Sequence, residues 1–440
     1  MRRLGGAIAA ALALALLSTP ATSATLAGTK CAPAGKQRVV NGATFVCKRV
    51  AGRLVWKRLP LKAAAPVPSP RASTPAAPPH VISVDDPRIS STGVLAGPGR
   101  CRTTDRTPYG GGTSGFPRPA YALTGVGQYR ILVLPFATAD FQPGAREVAA
   151  LEQAAKESAA FFERVSFGQL TLTFEFLPER LWPRLPGKAD DYSLISKKPQ
   201  QNNTDMVTRI FADASAEIDF DAYHAVVLES AYWPQSGGGQ GFPGVRFPAP
   251  TGTATGVNLH FGNAVHRSSV ITHELGHSLF ALEDLYIFLN PQRPSVPVPT
   301  PLYAWDIMSG DGAADRDFSA WNKYLIGWLP DDRVRCLQSP TVTTGHYLAS
   351  SQSATTAPQM LAINLEAGVT LVVEARKQYA TDARVRALVY LVDTRISHGD
   401  GPIRSEQELL AVGGTVVRDG YRIAVIDADA NALLVEVSPA

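Results

Sequence analysis

The hydrophobic pattern changes its period several times along the chain, and each change predicts a different element. Tyr129-Arg130-Ile131-Leu132-Val133-Leu134-Pro135-Phe136 is a nearly continuous apolar run, as expected of a buried strand. Ala145 to Val165 is poor in Gly and Pro and repeats apolar residues near helical spacing at Val148, Leu151, Ala155, Ala159 and Phe162. Gln169 to Leu177 alternates instead, with Leu170, Leu172, Phe174 and Phe176 on one face, which predicts a half-buried strand. A second helix is expected over Thr204 to Ala216, and another buried strand over Tyr223 to Glu229. Gly256 to Phe261 reads as a strand that could rim a cleft. Ser268 to Leu282 is the third helix, with an apolar stripe at Ile271, Leu275, Leu279 and Leu282.

Past Cys336 the texture becomes all β. Met360–Leu365, Val369–Glu374, Ala387–Val392, Tyr421–Val425 and Ala432–Val437 read as strands between Gly, Asp and Ser clusters, and predict a β-sandwich over 336–440. At the other end, Thr29 to Lys62 contains short strand-like pieces around an Asn41-Gly42 hairpin signal. It is similar to the short Cys-paired modules with a terminal Trp found on secreted bacterial proteins. Residues 63–80 are rich in Pro and Ala, which favours an extended linker. The expected organisation is therefore a module at 29–62, a linker at 63–80, an α+β domain at 81–335 and the β domain at 336–440.

Charge divides the chain in the same way. No Asp or Glu occurs between Met1 and Val84, a stretch that holds 12 of the 42 lysines and arginines. The remainder is net acidic at −8, so the overall +4 does not describe a nucleic-acid binder. The basic module reads either as an attachment to an anionic polymer of the cell envelope or as a solvated spacer. Arg2 and Arg3, the apolar run Leu4 to Leu17 and the small residues up to Ala24 have the form of a signal peptide over 1–24, too short for a membrane span. A secreted, extracellular protein is expected, with no other segment apolar enough to cross a membrane. Cys31, Cys47, Cys101 and Cys336 fit an oxidising compartment. Cys31 and Cys47 lie together in the module and are natural partners, which leaves Cys101 for Cys336.

The chemistry concentrates at His273-Glu274-Leu275-Gly276-His277. Four residues apart on a helix, His273 and His277 project side by side and can share one Zn²⁺. Glu274 leans toward the same cleft and can move a proton from the attacking water to the leaving amine. Gly276 permits close approach of a neighbouring element. These residues point to metal-assisted hydrolysis of a protein or peptide. Two other readings use the same chain: a binding protein on an impaired protease fold, and an amidase acting on cell-wall peptide. His260 and His266 could line the cleft, although single histidines are usually structural. Asp311, Asp315 and Asp317, or the neighbourhood of Asp400, offer oxygens suited to Ca²⁺, without the spacing of a known calcium loop.

The stretch His273 to Leu279 with Asp284-Leu285-Tyr286 resembles the immune inhibitor A-like secreted zinc metallopeptidases, a metzincin-related family. So do Trp305 to Gly310, Phe318 to Lys323, Leu325 to Trp328, Phe162 to Leu170, Val373 to Arg376 and Val389 to Asp393. The resemblance covers about Tyr129 to Asp393. It implies a zincin-type α+β catalytic domain, Glu274 as general base, and Met308 as the packing methionine of the turn beneath the metal. One departure matters. Phe280 stands where the family has a chain-turning Gly, and one residue is inserted before Asp284-Leu285-Tyr286. The third ligand is therefore Glu283 by fixed spacing or Asp284 by the Asp-Leu-Tyr match, and Asp284 is favoured. Either choice needs a bend near Phe280 to Leu282, because seven more helical residues would carry the chain about 10 Å away; without that bend the ligand comes from elsewhere in the chain. The resemblance also raises a rival for Cys101, a thiolate that blocks the metal as in other metzincins. It would leave Cys336 odd.

Overall fold

The computed structural model describes residues 30–32, 34–40, 43–58, 80–90, 95–105, 112–192, 203–230, 238–261, 268–286, 301–310, 316–377, 383–396, 400–405 and 409–440. The expected signal peptide, the expected Asn41-Gly42 turn, the expected linker up to residue 79, His266, His398, Asp311 and Asp315 lie outside them. Two units are present, Met1–Pro78 and Pro79–Ala440.

The first unit is an antiparallel sheet of β1 (Gln37–Val40), β2 (Ala43–Val50) and β3 (Arg53–Arg58). Its core is small: Phe45, Cys47 and Trp56, with Cys31 and Leu54 against them. The Cys31–Cys47 disulfide, with Cα atoms 5.8 Å apart, ties the leading segment to β2. So small a core needs such a staple. Lys30, Lys36, Lys48, Arg49, Arg53 and Lys57 are all exposed on it.

The second unit is layered. Its five-stranded sheet runs β6 (Leu170–Phe176), β5 (Gly127–Phe136), β7 (Ala225–Ser230), β11 (Val257–Phe261), β8 (Gly238–Phe242). The first four are parallel; β8 is antiparallel and forms the edge. The strand expected to rim the cleft, Gly256 to Phe261, is thus interior, and β8 takes the rim. One face, with Ile131, Val133, Ala225 and Val227, packs on α1 (Ala145–Val165) and α3 (Ser268–Phe280). The other, with Leu132, Leu134, Val226 and Leu228, packs on α2 (Asn203–Ala212) and the β9 (Phe247–Pro248) and β10 (Thr253–Ala254) hairpin. Burial of both faces explains the unbroken apolar runs.

α3 ends two residues earlier than its apolar stripe predicts. Ala281 adopts φ 49°, and its amide donates to the His277 carbonyl at 2.8 Å. This is the bend the sequence required, one residue after the position of the family glycine. Phe280 itself cannot be that glycine's equivalent, since it is buried against Phe162 and Trp328. The short helix α4 (Ala320–Ile326) is capped by Ser319, whose side chain accepts from the Asn322 amide, and stopped by Gly327 at φ 94°.

The C-terminal strands form two sheets. One has the order β17 (Ile403–Arg404), β16 (Arg386–Asp393), β15 (Val369–Arg376), β14 (Met360–Glu366), β12 (Val334–Gln338), β4 (Leu95–Ala96). The other is β13 (Thr344–Ala349), β20 (Ala432–Pro439), β19 (Tyr421–Ala428), β18 (Thr415–Arg418). They enclose a shared core that includes Leu361, Ile363, Val373, Val389, Ile423 and Val435. The opposite face of the six-stranded sheet also lies in a core. Met360, Ala362, Val372, Leu388 and Tyr390 pack with residues of α1, α3 and α4. The expected boundary between 335 and 336 therefore falls inside β12, and the α+β and all-β parts are layers of one unit. Cys101–Cys336 is a disulfide, with Cα atoms 5.7 Å apart, and both cysteines belong to this common core. Cys101 thus has no thiolate with which to reach a metal.

Candidate metal centre

Helix α3 puts His273 and His277 on one face, and the Ala281 turn brings the chain back beneath them. Asp284 Oδ1 then lies 3.0 Å from His273 Nε2 and 3.1 Å from His277 Nε2, while the two Nε2 atoms are 3.1 Å apart. All three side chains are nearly buried. Each imidazole is oriented from behind. His273 Nδ1 donates to the Ile307 carbonyl at 2.9 Å, and His277 Nδ1 donates to the Leu282 carbonyl at 2.6 Å. Because carbonyls only accept, both Nδ1 atoms carry hydrogen, and in neutral rings both Nε2 lone pairs face inward. Two nitrogen lone pairs and a carboxylate oxygen so close repel one another unless a cation lies among them. These three residues could hold a metal ion, and no second group of three His, Cys, Asp or Glu suited to one is found among the described residues.

Electrostatics says the same. Burial opposes a charge on His277, but Asp284 outweighs burial and raises its pKa to about 9. Burial would likewise raise the Asp284 pKa, yet the two imidazoles hold it far below the usual carboxylate range. The group favours positive charge, whether proton or metal.

Glu283 goes elsewhere. Its Cγ lies where a Cβ on Gly112 would stand, at 2.7 Å. Thr113, beside that glycine, donates its amide to the Ala281 carbonyl, and Arg118 donates to the Phe280 carbonyl, so this segment braces the bend. Of the two candidates for third ligand, Asp284 joins the histidines.

The floor of the site is the Ile307–Ser309 turn. A Cβ on Gly276 would stand 2.5 Å from Met308 Sδ, so a glycine is needed for the methionine to pack under the helix. The Met308 carbonyl accepts from Leu285, the residue after Asp284, at 2.9 Å. Asp306 secures the turn: it accepts from the Met308 amide at 2.8 Å, the Ser319 amide at 2.7 Å and Asn322 Nδ2 at 2.9 Å.

The other wall is β8, which the sequence reading missed. A Cβ on Gly239 would meet the Glu274 carboxylate, with Cδ at 2.6 Å, and one on Gly241 would meet His277 Cβ at 2.7 Å. The signal was present in Gly238-Gly239-Gln240-Gly241, where every second residue must lack a side chain. Glu274 thus lies under an edge strand, beside the metal group and not part of it.

The remaining candidates divide. His260 is buried against Glu229, His80 pairs with Asp427, His224 Nδ1 accepts from the Arg130 amide and His346 pairs with Thr344. Asp317, offered for Ca²⁺, accepts instead from Lys323 Nζ at 2.8 Å. No helix among the described residues is long and apolar enough to cross a membrane. No protein-family model matches the chain, and no curated protein matches it.

Proposed function

We propose that the protein is a secreted zinc-dependent endopeptidase. The observation that carries this reading is the convergence of His273 Nε2, His277 Nε2 and Asp284 Oδ1, with Glu274 beside them under β8, the edge strand of its sheet among the described residues. Two imidazoles and a carboxylate suit Zn²⁺, and ligands at about 2.0–2.1 Å from a tetrahedral ion stand about 3.3 Å from one another, close to the separations found here. When bound, zinc supplies a Lewis acid for the scissile carbonyl and lowers the pKa of water. Ile307 and Leu282 hold the imidazoles in the ligating tautomer. Glu274 accepts the proton of the attacking water and passes it to the leaving amine. The edge of β8 can receive an extended substrate through its backbone. The disulfides accord with an oxidising, extracellular setting. The resemblance to the immune inhibitor A-like peptidases supports the same reading.

The test is hydrolysis of casein and of a peptide library by the purified full chain, with zinc measured alongside. Chelation should abolish hydrolysis and added Zn²⁺ should restore it. Asp284→Ala should strip the metal, whereas Glu283→Ala should keep it. A zinc-loaded chain that cleaves no peptide would leave a binding protein, and cleavage confined to cell-wall peptides would make it an amidase.

The module at 29–62 is proposed to attach the enzyme to anionic envelope polymers through its exposed Lys and Arg. Exposed charges are screened within about 10 Å at 0.1 M salt. Binding of the full chain to isolated cell envelopes should therefore fall as salt rises, and should be lost when residues 29–62 are deleted. Salt-independent binding, or binding that survives the deletion, would remove the idea.

A further inference from the structure

Below helix α3, the three strands β7, β11 and β8 lie side by side. His260 on β11 is the register partner of Glu229 on β7 and, on its other side, of Gly239 on β8. Neighbouring strands are about 4.8 Å apart, so all three positions are in one row. The row faces α3: Ala225 and Val227, in phase with Glu229, pack there, and Gly239 touches Glu274. Because Gly239 has no side chain, the Glu274 carboxylate occupies its place in the row. His260 therefore stands between two carboxylates, Glu229 from the sheet and Glu274 from the helix.

His260 Nδ1 is 2.7 Å from Glu229 Oε1, and the two side chains are 0% and 1% exposed. His260 Nε2 and Glu229 Oε2 are buried without a hydrogen-bond partner among the described residues. A polar atom buried in that way costs about 1–3 kcal/mol. A pair kept only for packing would be better replaced by apolar side chains. Burial opposes a charge on His260, but Glu229 and then Glu274 outweigh it and raise its pKa, while His273 works against them.

We propose that the Glu229–His260 pair positions the general base. Glu229 orients the imidazole through Nδ1, and Nε2 holds the Glu274 carboxylate through one water, in the rotamer that reaches the attacking water. His260 is a positioning residue in this scheme, touching neither metal nor substrate. The inference rests on the peptidase reading for its kinetic consequence, but the contact with Glu274 can be tested apart from activity.

The experiment compares His260→Leu, His260→Gln and Glu229→Gln with the parent full chain, on one fluorogenic peptide and with zinc content measured. His260→Leu should keep its zinc and its KM while kcat falls about 10–100-fold, the usual loss when a supporting partner is removed. His260→Gln retains an N–H and should recover part of the loss. In parallel, NMR of the histidine-labelled full chain should show the His260 ring signals shifting in Glu274→Gln. Full kcat in His260→Leu, or ring signals unmoved by Glu274→Gln, would overturn the proposal and leave the peptidase reading intact. If the parent itself cleaves no peptide, the peptidase reading fails and the NMR arm still decides the contact. Should His260→Leu not fold, Glu229→Gln and the ring signals carry the test.

Discussion

Glu274→Gln should leave zinc bound and lower kcat by about 10²–10⁴-fold, the contribution typical of a positioned acid–base group. That is about 3–5 kcal/mol of barrier. The replacement is isosteric, and Gln keeps the length that fits against Gly239, so packing under β8 should survive. What disappears is the capacity to take up and release a proton. The three converging ligand atoms belong to His273, His277 and Asp284, so metal content should match the parent. His273→Ala and His277→Ala should instead lose the metal along with activity. The measurement is kcat together with zinc per chain. Parent-like turnover in Glu274→Gln would sink the mechanism, and loss of zinc would make Glu274 a ligand.

Much of this centre is legible in the sequence, because four-residue spacing on a helix is enough to set His273 beside His277. The third candidate ligand was harder for a physical reason. Its identity depends on where α3 stops, and the stop is made by Ala281 at φ 49°, a conformation that side chains with a Cβ rarely adopt. Nothing local marks Ala281. The bend is braced from far away in sequence, by Thr113 and Arg118. The edge strand β8 was missed because glycine-rich chain normally signals a turn; here Gly239 and Gly241 are glycine because Glu274 and His277 lie against them. His260 read as an ordinary structural histidine because only the sheet register sets it between Glu229 and Gly239. The boundary expected at 335 and 336 failed for the reason that makes central strands apolar throughout. Adjacent residues of β14, Met360 and Leu361, enter different cores, and a sandwich with one wet face would not bury both.

That shared layer leads to the second large expected effect. Arg376→Met should destabilise the unit by about 3–5 kcal/mol, the cost of leaving buried charges unpaired. Arg376 closes β15 and is 1% exposed at its side chain. Its guanidinium donates to the Trp305 carbonyl at 2.8 Å, to the Phe318 carbonyl at 3.2 Å and to Glu374 Oε1 at 3.4 Å. Trp305 and Phe318 flank the paired segments at Asp306 and Asp317 that carry the Met308 turn. Arg376 thus fastens the turn beneath the His273–His277–Asp284 group to the C-terminal sheet. Met fills similar space, so the loss is electrostatic and not a cavity. Two carbonyls and the Glu374 carboxylate would be left without their cation, although Glu374 Oε2 would still accept from the Ala320 amide at 3.1 Å. Removing the stranded charge as well, in Glu374→Gln/Arg376→Met, should recover part of the stability. Zinc affinity should fall with Arg376→Met, because Ile307 and Met308 orient His273 and Leu285. Urea unfolding of the three proteins, with zinc titration of each, checks the scheme. An Arg376→Met chain within about 1 kcal/mol of the parent would show that the guanidinium is not what binds the sheet to the turn, since a buried pair broken on one side costs more than that.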